Sequence, residues 1–169
     1  GLYVDVVSEG IITLENVKLE LNRSKRGGGI YIESGQVEFD NCLIYGNNAD
    51  NGGGIYTKSD NLVFYAGIEN NIDTLNTKII ENVADDEMND NGETIPLGKG
   101  GGIYIENTNI NLNGILISGN EANQYGGAIY SEAYTTIDVS TKFDNLIIKE
   151  NSAGIEGSVL YSDNSKLDF

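Results

Sequence analysis

The chain has 169 residues and a formal net charge of −16, with 22 glycines, one proline, no tryptophan and no histidine. Such a charge repels polyanions and argues against a nucleic-acid partner, while the glycine content favours short extended segments joined by tight turns over long helices. The single cysteine, Cys42, excludes a disulfide within the chain, and no apolar run is long enough for a membrane-spanning helix.

The sequence is organised by a repeated glycine-rich motif. Gly-Gly-Gly-Ile-Tyr stands at residues 27–31, 52–56 and 100–104, and Gly-Gly-Ala-Ile-Tyr at 126–130. Between these copies lies a second signature, consisting of an Asn corner, a short apolar run and Asn-x-Ala. A period near 25 residues with insertions predicts a solenoid of stacked units. In chain order, the units are predicted at residues 1–26, 27–51, 52–99, 100–125, 126–156 and 157–169.

Within a unit, apolar residues alternate in three short bursts, the pattern of half-buried strands. Three short strands cannot stand alone, but each can pair in parallel with its counterpart in the next unit. The sequence therefore predicts an all-β fold, a single-stranded parallel β-helix of about six coils in one domain, 1–169, as a segment of a longer solenoid. Insertions are predicted at about 57–73 and 85–98. One interior ladder is formed by Ile30, Ile55, Ile103 and Ile129.

Asparagines recur at two corners of the predicted coil. Their side chains bond to the backbone at turns, and stacked asparagines can form amide ladders, so we interpret both sets as structural. One set comprises Asn22, Asn47, Asn82, Asn120 and Asn151. The other comprises Asn16, Asn41, Asn76 and Asn145.

The tyrosines of the glycine-rich motif alternate with the inward isoleucines, so they are predicted to point outward and stack along one face. An exposed aromatic stripe would be a binding surface. The alternative is that neighbouring rings and the insertions cover one another. The predicted stripe consists of Tyr31, Tyr56, Tyr104 and Tyr130.

The second insertion is rich in carboxylates, and calcium is the one cofactor that the composition suggests. However, placing Gly92 at the sixth position of an EF-hand loop puts Gly98 where the bidentate glutamate belongs. A solvated acidic loop is therefore the alternative. The calcium candidates are Asp85, Asp86, Glu87 and Asp90.

No catalytic residue is predicted. Some parallel β-helices degrade pectin, but this chain has no histidine, and its arginines, Arg23 and Arg26, share one turn. The outward carboxylates Glu33, Glu38, Glu106 and Asp138 are spread over several coils, without the fixed pair that glycoside hydrolysis needs. Cys42 is predicted as a small core residue.

The Gly-Gly-Ala-Ile at 126–129, with Phe-Asp-Asn at 39–41 and 143–145, resembles the paired repeats of polymorphic outer membrane proteins, first recognised in chlamydiae, and of related adhesin-like β-helix proteins. The resemblance implies a right-handed β-helix on a cell surface, used in adhesion or as a spacer. It implies no cofactor and no catalytic residues.

The first hypothesis is therefore a non-catalytic, extracellular display scaffold of adhesin type, whose partner is a protein or glycan on a host or neighbouring cell. The second is a subunit of an extracellular filament that assembles by end-to-end stacking. A polysaccharide-acting enzyme is the third.

Overall fold

The computed structural model describes residues 1–6, 10–59, 62–64, 77–88, 90–134 and 140–168. In these ranges the regular structure consists of β-strands and no helix is present, so no described helix could cross a membrane. In chain order the strands are β1 (Leu2–Asp5), β2 (Ile11–Glu15), β3 (Lys18–Glu20), β4 (Arg23–Arg26), β5 (Ile30–Ser34), β6 (Gln36–Asp40), β7 (Leu43–Tyr45), β8 (Asn48–Asn51), β9 (Ile55–Thr57), β10 (Leu62–Phe64), β11 (Thr77–Ile80), β12 (Val83–Ala84), β13 (Glu87–Met88), β14 (Thr94–Ile95), β15 (Ile103–Glu106), β16 (Ile110–Asn113), β17 (Ile115–Ser118), β18 (Glu121–Ala122), β19 (Ile129–Glu132), β20 (Ser140–Asp144), β21 (Ile147–Lys149), β22 (Ser152–Ala153), β23 (Leu160–Asp163) and β24 (Lys166–Asp168).

The strands form parallel sheets that run along the stack of coils. The first sheet contains the strands that follow the glycine motif, in the order β1-β5-β9-β15-β19-β23. The second strand of each coil lies in the sheet β2-β6-β10 or in the sheet β16-β20-β24. The third forms β3-β7-β11-β17-β21, and the fourth forms β4-β8-β12-β18-β22. Each strand of these sheets pairs in parallel with its counterpart one coil away, which confirms the predicted parallel β-helix. Its handedness stays a prediction, in line with the right-handed rule for parallel crossovers.

The structure adds a fourth strand to the three predicted for each coil. It coincides with the Asn-x-Ala signature, as in Asn48–Asn51, where Ala49 is the buried residue. A strand that buries one small side chain gives no alternating apolar pattern, which is why the sequence does not show it.

Four corners separate these strands, and each is made by one residue with a positive φ. Glycine and asparagine adopt this conformation most readily. The first corner is Gly27, Gly52, Gly100, Gly126 or Gly157, the second is Gly35, Asn107 or Asn164, the third is Asn16, Asn41, Gly114 or Asn145, and the fourth is Leu21, Gly46, Glu81, Gly119 or Glu150.

The interior is a column of aliphatic side chains in register. Ile30 pairs with Ile55, Ile55 with Ile103, and Ile103 with Ile129, and all four are fully buried. Phe39 stacks on Phe64 with ring centroids 4.9 Å apart. Because like residues meet in successive coils, burial is continuous along the stack, and the hydrophobic effect holds the coils together.

The glycine motif lets one part of the coil approach another closely. A Cβ added to Gly101 would lie 2.3 Å from the carbonyl oxygen of Glu121, on the fourth strand of the same coil. A Cβ added to Gly53 would likewise lie 2.5 Å from the carbonyl oxygen of Val83. The second glycine of the motif is therefore required by contact with backbone.

The range predicted for the first insertion, about 57–73, contains residues that belong to the regular coil. Thr57 ends β9, and Leu62–Phe64 pairs with Val37–Phe39 as a regular second strand. Leu62 and Phe64 are buried in the common core, so these residues belong to the coil. Residues 65–76, including Asn76, lie outside the described residues.

Candidate functional site

The asparagine column preceding the fourth strand is a continuous hydrogen-bonded ladder. The Nδ2 of Asn47 donates to the Oδ1 of Asn82 at 3.0 Å, and the Nδ2 of Asn82 donates to Asn120 at 2.9 Å. Asn22 and Asn151 extend the ladder at its two ends. The side chains of Asn47, Asn82 and Asn120 are fully buried.

Each interior amide of this ladder is fully used. The Oδ1 of Asn82 accepts from both the backbone N–H and the Nδ2 of Asn47, while its own Nδ2 donates to the carbonyl of Ile44 and to Asn120. No buried side-chain nitrogen or oxygen in the described part of the chain lacks a hydrogen bond. These amides have no capacity left for a ligand, so their role is structural.

The tyrosines of the motif form a second column, on the outer side of the first sheet. Tyr56 and Tyr104 stack with ring centroids 4.6 Å apart, Tyr104 and Tyr130 at 5.0 Å, and Tyr130 and Tyr161 at 5.5 Å. Tyr31 meets Tyr56 edge-on. Stacked and edge-on rings are the preferred arrangements of aromatic pairs, so the column stabilises the coil stack.

The predicted exposed stripe requires a correction. Tyr56, Tyr104 and Tyr130 are between 1% and 5% exposed, and Tyr31 is half-buried. The rings point away from the isoleucines, as the alternation predicts, but neighbouring rings and polar side chains cover them. Arg26 lies over Tyr56, and Lys99 lies over Tyr130. The ring faces are therefore not a free binding surface.

The phenol groups bond to carboxylates on the same sheet. Tyr31 donates to Glu33, Tyr56 to Glu106 and Tyr104 to Glu132. Burial raises the pKa of Tyr56, Tyr104 and Tyr130. A hydrogen bond to a carboxylate raises the pKa of Tyr56 and Tyr104 further, and the nearby charge of Glu132 does so for Tyr130, whose hydroxyl accepts from Lys99. All three tyrosines are therefore neutral at neutral pH.

Glu132 is the most buried carboxylate of this face, with 5% exposure. Its register neighbours are Glu106 and Asp163, both acidic. Burial raises its pKa; the hydrogen bond from Tyr104 and the charge of Lys99 oppose that shift, and the charge of Glu106 adds to it. The phenol groups of Tyr104 and Tyr134 both donate to this buried carboxyl group.

The second insertion leaves the coil within the fourth strand. Val83 and Ala84 pair with Asn48 and Ala49, and Lys99 then bridges to Asn51. Residues 86–98 are therefore inserted between the places that Asp50 and Asn51 occupy in the regular coil. Within the insertion, Glu87–Met88 and Thr94–Ile95 pair as an antiparallel ribbon.

Between this ribbon and the fourth-strand sheet lies a cavity of about 740 Å³, which we call the insertion groove. Its walls include Arg23, Lys25, Asp50, Asp85, Glu87 and Met88. Lys25 Nζ and Glu87 Oε1 form an ion pair at 2.7 Å across it. Met88 on the ribbon is 69% exposed.

The predicted calcium ligands are largely used by the protein itself. Asp85 accepts from Asn123 at 2.6 Å, Asp86 accepts from Gln124 and from the backbone of Leu97, and Glu87 pairs with Lys25. Asp90 lies at the ribbon turn and is exposed. Among the described residues no group of three acidic, histidine or cysteine side chains is placed to hold a metal ion. Calcium binding stays an untested prediction.

Asp50 differs from its neighbours in the groove because it makes no direct hydrogen bond or ion pair with another described side chain. Burial raises the pKa of its carboxyl, the nearby charge of Glu87 raises it further, and Lys25 and Arg23 oppose this shift. Sequence reasoning did not single out Asp50, since nothing in the pattern shows that the insertion folds back over it.

The remaining predicted residues are dispersed. Glu33 and Glu106 pair with Lys58 at 3.2 and 3.9 Å, and Glu38 accepts from Gln36. Asp138 lies outside the described residues. Cys42 is buried, its Sγ donates to the carbonyl of Leu14, and burial raises the pKa of its thiol. A protonated, enclosed thiol is a poor nucleophile.

One family comparison gives a match. The model described as the Chlamydia polymorphic membrane protein repeat matches residues 114–132, which contain the Gly-Gly-Ala-Ile copy at 126–129. The predicted resemblance to this repeat is confirmed over these residues. Nothing among the curated proteins or the solved structures matches the chain.

Proposed function

We propose that the chain is a non-catalytic display scaffold of adhesin type, which holds the second insertion out from a rigid stack of coils on a cell surface. The partner is a protein or glycan on a host or neighbouring cell. The repeat match at residues 114–132 supports surface display, because the matched family is described as membrane proteins.

One structural observation supports this proposal most strongly. Residues 86–98 interrupt the fourth strand, yet the stack keeps its register on both sides of them. On the N-terminal side of the insertion, Val83 pairs with Asn48 of the preceding coil and with Glu121 of the following coil. On its C-terminal side, Lys99 bridges to Asn51 and Tyr125 of the same two coils. A solenoid that accepts an insertion without disturbance is suited to present it, and functional contacts concentrate on such loops.

The test uses beads coated with the chain and cultured epithelial cells. Removing residues 86–98 joins Asp85 to Lys99 and so restores the Asp50–Asn51 arrangement of the regular coil, which gives a matched control with the same scaffold. We expect the intact chain to promote adhesion and the shortened chain to lose it while keeping its β-sheet circular dichroism. Adhesion no better than that of albumin-coated beads would contradict the display role.

The alternatives give different results. A filament subunit would show concentration-dependent growth of large species in sedimentation velocity. A polysaccharide-acting enzyme would release reducing ends from polygalacturonate. Neither result is expected for a display scaffold.

A further inference from the structure

We propose that the insertion groove binds an extended, arginine- or lysine-bearing segment of a partner protein. This inference rests on the proposed display function and names the chemistry of the partner. The groove lies between the ribbon of the second insertion and the fourth strands of the first three coils.

The first argument concerns charge inside the groove. Among the described residues Asp50 forms no hydrogen bond or ion pair with another side chain, and it lines the groove together with Asp85 and Glu87. Arg23 and Lys25 also line the groove, but two cations do not balance its four carboxylates, Asp50, Asp85, Asp86 and Glu87. The Lys25 side chain is 79% exposed and forms an ion pair with Glu87. A guanidinium or ammonium group placed between Asp50 and Glu87 would supply the missing positive charge, and Lys25 would compete with it.

The second argument concerns shape. A cavity of about 740 Å³ is large enough for several side chains of an extended peptide. The ribbon contributes an exposed apolar side chain to the groove wall, Met88 at 69% exposure. The aliphatic stems of arginine and lysine pack on such surfaces while their charged ends reach carboxylates.

The third argument concerns the whole chain. A net charge of −16 attracts cationic partners and speeds their encounter, so a basic segment is favoured before it reaches the groove. A neutral glycan would give the carboxylates of the groove no countercharge. The residues that line the groove also include no aromatic ring on which a sugar could stack.

The test measures binding of a fluorescein-labelled Arg-Ser-Arg-Ser-Arg peptide by anisotropy, with the citrulline peptide as the neutral probe. Asp50→Asn should weaken binding by about tenfold, which corresponds to the loss of one good charge contact. Asp40→Asn, which changes the net charge equally but lies on β6, should have little effect. Equal effects of these two substitutions would overturn the proposal, because binding would then follow the net charge alone.

A second pair of variants gives a result of opposite sign. Lys25→Ala frees Glu87 and should tighten binding of the arginine peptide by about threefold. Lys18→Ala removes a similar exposed lysine from an ion pair with Glu20, outside the groove, and should change binding less. If Lys25→Ala and Lys18→Ala have the same effect, the groove is not the site. If Asp50→Asn leaves bead adhesion intact but deletion of residues 86–98 abolishes it, the display role stands and the groove proposal fails.

Discussion

Leu21 has a left-handed backbone conformation, with φ of 55°. It is 74% exposed, so no burial of its side chain accounts for a leucine at this corner. Gly46 and Gly119 stand at the same corner in other coils. The left-handed conformation costs a non-glycine residue about 1–2 kcal/mol. Glycine avoids this cost, but it loses more conformational entropy on folding, which offsets part of the gain. We expect Leu21→Gly to raise the free energy of unfolding by about 1 kcal/mol in a denaturant titration.

Leu21→Ala is the control, because it removes the same exposed side chain but keeps the Cβ that causes the strain. It should give no increase. An equal gain from both variants would show that removal of the leucine side chain, and not the corner geometry, is responsible.

Asn82 tests the amide ladder. Asn82→Ala removes four hydrogen bonds and leaves the buried amide donors of Asn47 without an acceptor. Unsatisfied buried polar groups are costly, so we expect the free energy of unfolding to fall by about 3 kcal/mol. Asn22→Ala, at the end of the ladder, should cost less than half of this amount, since Asn22 donates one side-chain bond to the ladder. Similar costs at both positions would contradict a cooperative ladder.

At this scale the sequence predicts position better than environment. Alternation correctly places the tyrosines opposite Ile30 and Ile103, but it cannot show that neighbouring rings bury them. The Tyr-x-Glu spacing at Tyr31 and Glu33 is a sequence signal for the phenol–carboxylate contact, because residues two apart on a strand share a face. No signal marks the left-handed corner at Leu21, since leucine is not a residue that adopts it readily.

The glycine motif makes a prediction at the scale of a strand and its corner. The second glycine touches the backbone of the fourth strand, whereas the third is already replaced by alanine at Ala128. We expect Gly101→Ala to lower the free energy of unfolding by about 3 kcal/mol, since the Cβ would clash with the carbonyl of Glu121. Gly102→Ala should cost less, about 1 kcal/mol. Its Cβ would lie 2.6 Å from the backbone carbonyl oxygen of Ala128, but Ala128 occupies the equivalent position one coil on, so the stack accommodates a Cβ there with a small shift.

Thermal unfolding of the two glycine variants under identical conditions makes the comparison. A larger loss from Gly102→Ala than from Gly101→Ala would show that the close approach has been assigned to the wrong glycine.

Among the elements, the longer strands could be predicted and the short ones could not. Val37 and Phe39 alternate clearly and mark their strand, while Asn48–Asn51 buries one alanine and carries no such pattern. The sequence places Leu62–Phe64 in an insertion, because the expected asparagine corner follows these residues only much later. Its pairing with β6 is a tertiary fact that local sequence does not contain.

For the whole molecule, buried carboxylates predict how stability changes with pH. The folded-state pKa values of Glu132 and Asp50 are raised by burial, so between pH 7 and the ordinary carboxyl range the folded chain binds more protons than the unfolded chain. The free energy of unfolding should therefore increase as the pH falls from 7 towards about 5, and it should decrease only when other carboxylates are protonated. The net charge of −16 acts in the same direction, since protonation relieves self-repulsion.

Glu132→Gln should reduce the pH dependence of the free energy of unfolding. Glu15→Gln makes the same charge change at an exposed carboxylate, and it should reduce the pH dependence less. Denaturant titrations at several pH values give the comparison. Stability that falls steadily from pH 7 to 5 in the unmodified chain would contradict the assigned role of the buried carboxylates.

The overall architecture was the most predictable feature, because repetition averages over local ambiguity. Ile30, Ile55, Ile103 and Ile129 meet in one column although their spacing in the sequence is uneven. The groove was not predictable, since it arises where an insertion from the third coil folds over strands of the first two.

The central claim is that coils stack in register as a rigid scaffold, and a distance between spin labels at Glu20 and Lys149 tests it most directly. These exposed residues occupy the same register column four coils apart, through Tyr45, Ile80 and Ser118. At about 4.8 Å per coil, their backbones should lie about 19 Å apart, and the label distance should show one narrow peak near this value. A broad distribution, or a peak well beyond 30 Å, would contradict the stacked register on which the display function depends.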